Sequence, residues 1–142
     1  MKPSLYNRKV ILSPYLVFKT PELKEQYLSG KFHPGLYFKM NAAGFWHFEN
    51  TGAQAVITSL WREDGIHSCF RAADFRTRHI DPFMSEHWET WLNETFKYHG
   101  KGGCRTALLH DVGRGSPLHL QVGPREPVPH IPDNYVIEKA EE

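Results

Sequence analysis

The pattern of hydrophobic and polar positions along the chain predicts three helices and four strands. Each predicted helix begins at a proline, which suits the first helical position because it has no backbone N–H to satisfy. These starts are Thr20-Pro21, His33-Pro34 and Asp81-Pro82. The third helix has the clearest pattern, because Met84, Trp88, Trp91 and Leu92 recur at helical spacing.

Four segments are predicted to be strands because apolar and β-branched residues lie between turn residues. They span residues 53–61, 70–77, 105–110 and 118–122. In the last segment the apolar residues alternate with His119 and Gln121, so these two side chains face the side opposite the leucines. Helices and strands together indicate an α+β domain.

The length and charge of the chain limit the kinds of protein it can be. It has 142 residues, and its 17 basic and 16 acidic side chains nearly balance. One domain with its own core is expected at this length. A net charge of +1 gives no electrostatic reason to expect nucleic acid or an anionic membrane as partner. No apolar run approaches the roughly 20 residues that span a bilayer.

The two ends of the chain and its two cysteines carry weaker signals. Residues 10–18 resemble the start of a signal peptide, but Pro14 interrupts the run and no cleavage site follows, so a protein left in the cytoplasm is expected. Residues 1–123 form the predicted domain, and residues 124–142, rich in proline and acidic at the end, form a predicted extended tail. Cys69 and Cys104 are predicted to be reduced, and suit either a reducing compartment or a small buried pair near a metal.

Asp74 is the first residue that suggests chemistry. It lies in a predicted strand between alanine and phenylalanine residues, where a carboxylate is costly unless it pairs with a charge or coordinates a cation. An ion pair with Arg62, Arg71 or Arg76 accounts for it as well as a metal does. His67 lies in the loop before this strand.

Two segments in this region resemble the signature TS-x-x-R … S-x-H-x-x-G-x-A-x-D of the zinc D,D- and L,D-peptidases. They are Thr58-Ser59-Leu60-Trp61-Arg62 and Gly65-Ile66-His67-Ser68-Cys69-Phe70-Arg71-Ala72-Ala73-Asp74. Residues 118–122 are similar to the late strand that supplies the third metal ligand in this family, which includes bacterial cell-wall carboxypeptidases and bacteriophage endolysins. The resemblance extends over residues 34–123, although Gly65 replaces the family's serine and Phe70 its glycine.

This resemblance implies a small antiparallel sheet flanked by helices, as in the hedgehog/D-alanyl-D-alanine peptidase fold. It implies Zn²⁺ bound by His67, Asp74 and His119, and Arg62 as the group that stabilises an oxyanion or holds a substrate carboxylate. The implied substrate is a peptidoglycan stem peptide, cleaved at a D-Ala–D-Ala or an L-Ala–D-Glu bond. The protein would then reach the cell wall through phage lysis or in a virion.

The general base expected in this family is missing from its usual place. Relatives carry an acid three residues before the last histidine, or a histidine two before it, and these positions are Ser116 and Pro117 here. His110, Asp111 and, after them, Asp64 are the candidate replacements. An inert zinc-binding member of the fold, acting as a structural or binding protein, and an unrelated α+β binding domain remain as alternatives.

Overall fold

The computed structural model describes residues 10, 12–109 and 116–128. Within these ranges the chain forms three α-helices, one short 3₁₀ helix and a five-stranded sheet, so the α+β class is confirmed. In chain order the elements are β1 (Leu16–Phe18), α1 (Pro21–Leu28), α2 (Pro34–Thr51), β2 (Ala55–Ser59), the 3₁₀ helix (Gly65–Cys69), β3 (Ala72–Phe75), α3 (Pro82–Thr95), β4 (Ala107–Leu109) and β5 (Leu118–Gln121).

All three predicted helix starts are confirmed. A side chain before each proline accepts a hydrogen bond from a backbone N–H of the first turn, which would otherwise have no partner. Thr20 and Asp81 accept through oxygen, and His33 accepts through Nδ1 from the N–H of Gly35 at 2.9 Å. α2 ends at Gly52, whose φ of 74° is the left-handed conformation that favours glycine.

The sheet is mixed rather than antiparallel, which corrects the expectation from the sequence. Its strand order is β1-β2-β3-β5-β4. β1 runs parallel to β2, while the other neighbouring pairs are antiparallel. A parallel pair needs a long crossover connection, and α1 and α2 provide it between β1 and β2. β1 is only three residues long and was not predicted, since its pattern is lost within the apolar run of residues 10–18.

The hydrophobic core lies on the face of the sheet that α2 covers, where this helix contacts β2, β3 and β5. Trp88 of α3 is fully buried there, with its ring centroid 5.4 Å from that of Phe75 in β3. Because neighbouring side chains of a strand point to opposite faces, Asp74 projects from the other face of the sheet. The face opposite the core therefore carries the candidate site.

Two residues of the segment after β5, Arg125 and Glu126, contact the rest of the domain. The N–H of Arg125 donates to the carbonyl oxygen of His99 at 2.9 Å, and Glu126 forms an ion pair with the buried Lys39. Residues 129–142 of the predicted tail lie outside the described ranges. No helix of the described part of the chain is both long enough and apolar enough to cross a membrane.

The two cysteines do not form the buried pair considered from the sequence. Both thiols are free and both side chains are exposed. Cys69 ends the short 3₁₀ helix, and Cys104 follows a glycine turn, so neither is covered by the core.

Candidate metal centre

Three separate elements bring His67, Asp74 and His119 together. Asp74 in β3 and His119 in β5 are direct partners in the antiparallel register, so their side chains leave the sheet side by side. The 3₁₀ helix after β2 adds His67 from above the same face. One potential ligand atom from each residue lies within 4.8 Å of the other two.

His67 is buried, with only 2% of its side chain exposed. Its Nδ1 lies 2.6 Å from the carbonyl oxygen of Leu60, and a carbonyl oxygen can only accept, so the proton is on Nδ1. In the neutral imidazole the lone pair is then on Nε2, which lies 3.5 Å from Oδ2 of Asp74. This buried nitrogen has no hydrogen-bond partner among the described residues. Such an atom needs a proton or a cation beside it.

His119 lies between two acceptors. Its Nδ1 is 2.9 Å from Oδ1 of Asp74, and its Nε2 is 3.0 Å from Oε1 of Gln121. The side chain keeps 18% of its surface exposed, so the centre is open on this side. The imidazole satisfies both contacts either as the doubly protonated cation or with a metal ion in place of the Nδ1 proton.

Asp74 is held as a carboxylate. Burial alone raises the pKa of its carboxyl group. The hydrogen bond with His119, together with the close contact and charge of His67, lowers this pKa by more than burial raises it. The net result is a pKa well below the usual range of an aspartic acid. The centre thus presents one negative charge and two imidazoles.

The donor set and its spacing fit a divalent metal ion. Two imidazoles and one carboxylate leave a fourth position open, as in catalytic rather than structural zinc sites. Metal–ligand bonds of about 2.0–2.2 Å place the donor atoms of a tetrahedral site roughly 3.3 Å apart. Oδ2 of Asp74 lies 3.5 Å from Nε2 of His67 and Oδ1 lies 2.9 Å from Nδ1 of His119, on either side of that value, while the three candidate ligand atoms lie within 4.8 Å of one another. The three residues are thus a group that could hold a metal ion, without specifying zinc.

Arg62 is the arginine that reaches this centre. Its Nη1 lies 3.5 Å from Oδ2 of Asp74, and its Nε lies 3.2 Å from Oδ1 of Asp64. Among the described residues, neither Arg71 nor Arg76 is within ion-pair distance of Asp74, and Arg71 donates instead to the carbonyl oxygen of Val122. The ion-pair interpretation of Asp74 is therefore confirmed for Arg62, and the contacts with the two histidines are compatible with the metal interpretation.

Of the candidate bases, Asp64 is the one that the structure describes. His110 and Asp111 lie outside the described residues. Asp64 is 78% exposed and connected to Asp74 through Arg62. Ser116 accepts a hydrogen bond on its backbone carbonyl from the hydroxyl of Thr77 at 2.6 Å.

Two contacts of the centre were not predicted as parts of a site, namely those from the Leu60 carbonyl and from Gln121. A backbone acceptor leaves no signal in the sequence, because every residue carries one. Gln121 did leave a signal, since the alternation of β5 placed it on the same face as His119.

Relatives do not help to interpret this centre. Comparisons of the chain with protein-family models, with curated proteins and with solved structures find no match. What can be said of the site therefore follows from its own geometry and chemistry.

Proposed function

We propose that this protein is a zinc-dependent peptidase that acts on the stem peptide of peptidoglycan, with His67, Asp74 and His119 as the zinc ligands. The observation that carries the metal assignment is the buried Nε2 of His67, which faces the Asp74 carboxylate without a hydrogen-bond partner among the described residues. Without a proton or a cation between them, its lone pair would repel that carboxylate oxygen.

The residues around the centre have roles that suit peptide hydrolysis. A bound zinc ion supplies Lewis acidity toward a peptide carbonyl and toward water. Arg62 is 47% exposed beside Asp74, so its planar guanidinium group can hold a carboxylate of the substrate. Stem peptides carry free carboxylates next to their cleavable bonds. Asp64, which pairs with Arg62, is one candidate to accept a proton, and His110 and Asp111 are the other candidates for this role.

The backbone of Phe70 supports the link to the peptidase family. Phe70 stands where the family signature has glycine, and its φ is 59°, a left-handed conformation that glycine adopts at no steric cost. It is the one non-glycine residue with positive φ in the described ranges. Its ring is buried against Phe32, with centroids 5.3 Å apart, and this packing offsets the strain.

The second candidate function is an inert zinc-binding domain with a structural or binding role, for example in a virion. Ser116 and Pro117 favour it, because neither a serine hydroxyl nor a proline can act as the general base that relatives carry there. The metal centre is the same in both functions, and only the chemistry differs.

Metal content is the first test of this proposal. Protein purified without chelator is expected to contain close to one zinc ion per chain, and zinc is expected to raise its melting temperature by preferential binding to the folded state. His67→Ala is expected to lose both effects, because it removes a ligand, whereas the exposed His87 of α3 serves as the control in His87→Ala. Wild-type protein that neither contains nor takes up zinc would refute the metal assignment.

Release of muropeptides from purified cell walls separates the two functions. Zinc-loaded wild type is expected to be active, and loss of about 10²-fold or more in Asp64→Asn, His110→Ala or Asp111→Ala with zinc retained would identify the base. An inactive wild type that becomes active in Ser116→Glu would favour the inert domain instead.

A further inference from the structure

Gln121 occupies a defined position beside the candidate metal centre. It lies two residues after His119 in β5 and is 8% exposed. Its Nε2 lies 2.7 Å from the carbonyl oxygen of Arg105. Because that oxygen can only accept, the amide NH₂ must face Arg105, and Oε1 must face His119. The orientation of this amide is thus set by the backbone.

The fixed amide in turn fixes the proton of the imidazole. Oε1 of Gln121 can only accept, and it lies 3.0 Å from Nε2 of His119, so Nε2 carries the proton. The lone pair of a neutral His119 is then on Nδ1, the nitrogen that faces Asp74 at 2.9 Å. His67 shows the opposite arrangement, with the proton on Nδ1 and the lone pair on Nε2.

The segment before β4 anchors both ends of Gln121. Its side chain donates to the carbonyl of Arg105, and its backbone N–H donates to the carbonyl of Thr106 at 2.9 Å. β4 pairs with β5 along this register. The segment that leads into the edge strand β4 supplies no candidate ligand, yet it determines which nitrogen of His119 points to the centre.

We propose that Gln121 is a positioning residue that holds His119 in the tautomer that presents Nδ1 to a metal ion. Partners of this kind raise metal affinity because they orient the ligand and exclude its other tautomer. A glutamine suits this position because its neutral side-chain amide accepts a hydrogen bond from the imidazole and donates one to a carbonyl. The inference rests on the metal site of the proposed function but not on peptidase activity.

Zinc affinity is the quantity to measure, by competition with a chromophoric chelator. Gln121→Leu removes both hydrogen bonds at similar volume and is expected to weaken zinc binding about 10- to 100-fold. Gln121→Glu keeps the acceptor for His119 but cannot donate to the Arg105 carbonyl, so it is expected to recover part of the affinity. Gln54→Leu is the matched control, because Gln54 also donates to a backbone carbonyl, that of Pro14 at 2.8 Å, but is exposed and remote from the site.

The tautomer is read directly from long-range ¹H–¹⁵N correlation spectra of zinc-loaded protein labelled at histidine. We expect His119 to show a protonated Nε2 and a metal-bound Nδ1 in the wild type. This spectrum tests the proposal even if Gln121→Leu does not fold. Binding through Nε2 of His119, or wild-type affinity in a folded Gln121→Leu, would overturn the role of Gln121. Wild-type protein without zinc affinity would instead refute the metal site itself, whereas zinc binding without peptidase activity would refute only the enzymatic part of the proposed function.

Discussion

At the scale of single residues, the position of one proton on each imidazole determines what the centre can bind. The Leu60 carbonyl holds the proton of His67 on Nδ1, and Gln121 holds that of His119 on Nε2. The two remaining lone pairs then converge on a carboxylate whose pKa is well below the usual range. The carboxylate and the two imidazole nitrogens that face it are stable side by side only with protons or a cation between them.

Arg62 should contribute to turnover rather than to metal binding. Arg62→Met is expected to lower kcat/KM for a muropeptide substrate about 10²-fold, because it removes a preorganised cationic donor. Zinc affinity should stay the same or rise slightly, since a positive charge 3.5 Å from a ligand oxygen opposes a second cation. Chelator competition and steady-state kinetics measure the two effects.

Arg105→Met is the matched control for Arg62→Met. Arg105 is also half-exposed and pairs with an acid, Glu89, at 3.6 Å, while its backbone carbonyl is unaffected by the change. It should leave turnover near the wild-type value. Full turnover in Arg62→Met, with zinc bound, would show that the guanidinium group does not serve the reaction.

The three candidate ligands were predicted from the resemblance to the zinc peptidases, and two of them also stand out in the sequence by themselves. Asp74 is unusual in an apolar strand, and His119 interrupts the apolar alternation of β5. The tautomers could not be predicted, since they depend on the carbonyls of Leu60 and Arg105, which any residue at those positions would supply. The sequence therefore indicates which residues are the candidate ligands, whereas the orientation of their imidazole rings depends on the fold.

At the scale of elements, α2 carries a buried charge that ties it to the chain after β5. Lys39 is 2% exposed, and its Nζ lies 3.3 Å from Oε1 of Glu126, 3.3 Å from Oγ1 of Thr106 and 3.4 Å from the carbonyl oxygen of Gln121. Burial lowers the pKa of Lys39, and the charge and hydrogen bond of Glu126 oppose that shift. The ammonium group therefore links α2 to Glu126 after β5 and to Thr106 in the segment before β4, which also anchors Gln121.

Removing the carboxylate of Glu126 should destabilise the fold. Glu126→Ala leaves the buried ammonium group of Lys39 without its anion, and about 3–5 kcal/mol of unfolding free energy is expected to be lost. The double variant Lys39→Met/Glu126→Ala should recover much of this loss, because no charge is then left buried. Urea unfolding measures both.

An exposed ion pair provides the comparison for this prediction. Asp64→Ala removes the acid that pairs with Arg62 at the surface, and a loss of less than about 1 kcal/mol is expected. If Glu126→Ala costs no more than Asp64→Ala, the Lys39–Glu126 pair does not stabilise the fold as inferred here.

The elements themselves were predicted to different degrees. Helix starts were predictable because a capping side chain and a proline act locally, within one turn. The parallel pairing of β1 was not, since it depends on where two intervening helices return the chain. The burial of Lys39 was also not predictable, because a lysine in an apolar helix is expected to reach solvent. Local features such as helix starts can therefore be predicted from the sequence, whereas the pairing of distant segments cannot.

At the scale of the whole molecule, the buried His33 and His47 and the exposed His79 resist protonation in the folded state. Burial lowers the pKa of His33, His47 and His79, and for His79 the nearby His47 and Arg76 lower it further. His47 is fully buried, donates from Nδ1 to the carbonyl oxygen of Ala53 at 2.7 Å, and meets Nε2 of His79 at 3.1 Å. Protonation of either ring would place a charge beside its neighbour.

The pH dependence of stability follows from these shifts. A histidine whose pKa is lower in the folded state binds fewer protons there than in the unfolded chain, where its pKa is about 6.5. Stability is therefore complete above that pH and falls as the pH drops through it toward the folded pKa. Each such histidine steepens the fall by up to about 1.4 kcal/mol per pH unit within this window.

The contribution of His47 can be isolated by comparing slopes rather than absolute stabilities. His47→Gln removes one titrating ring and leaves an amide that can still donate to the Ala53 carbonyl, so the free energy of unfolding should fall less steeply between about pH 6.5 and 5. Urea unfolding across this range, with zinc removed from all samples, measures the slope for wild type, His47→Gln and His87→Gln. The control changes an exposed histidine of α3 and should keep the wild-type slope. An unchanged slope in His47→Gln would mean that His47 takes up its proton equally in both states, which its burial against Trp88 and His79 argues against.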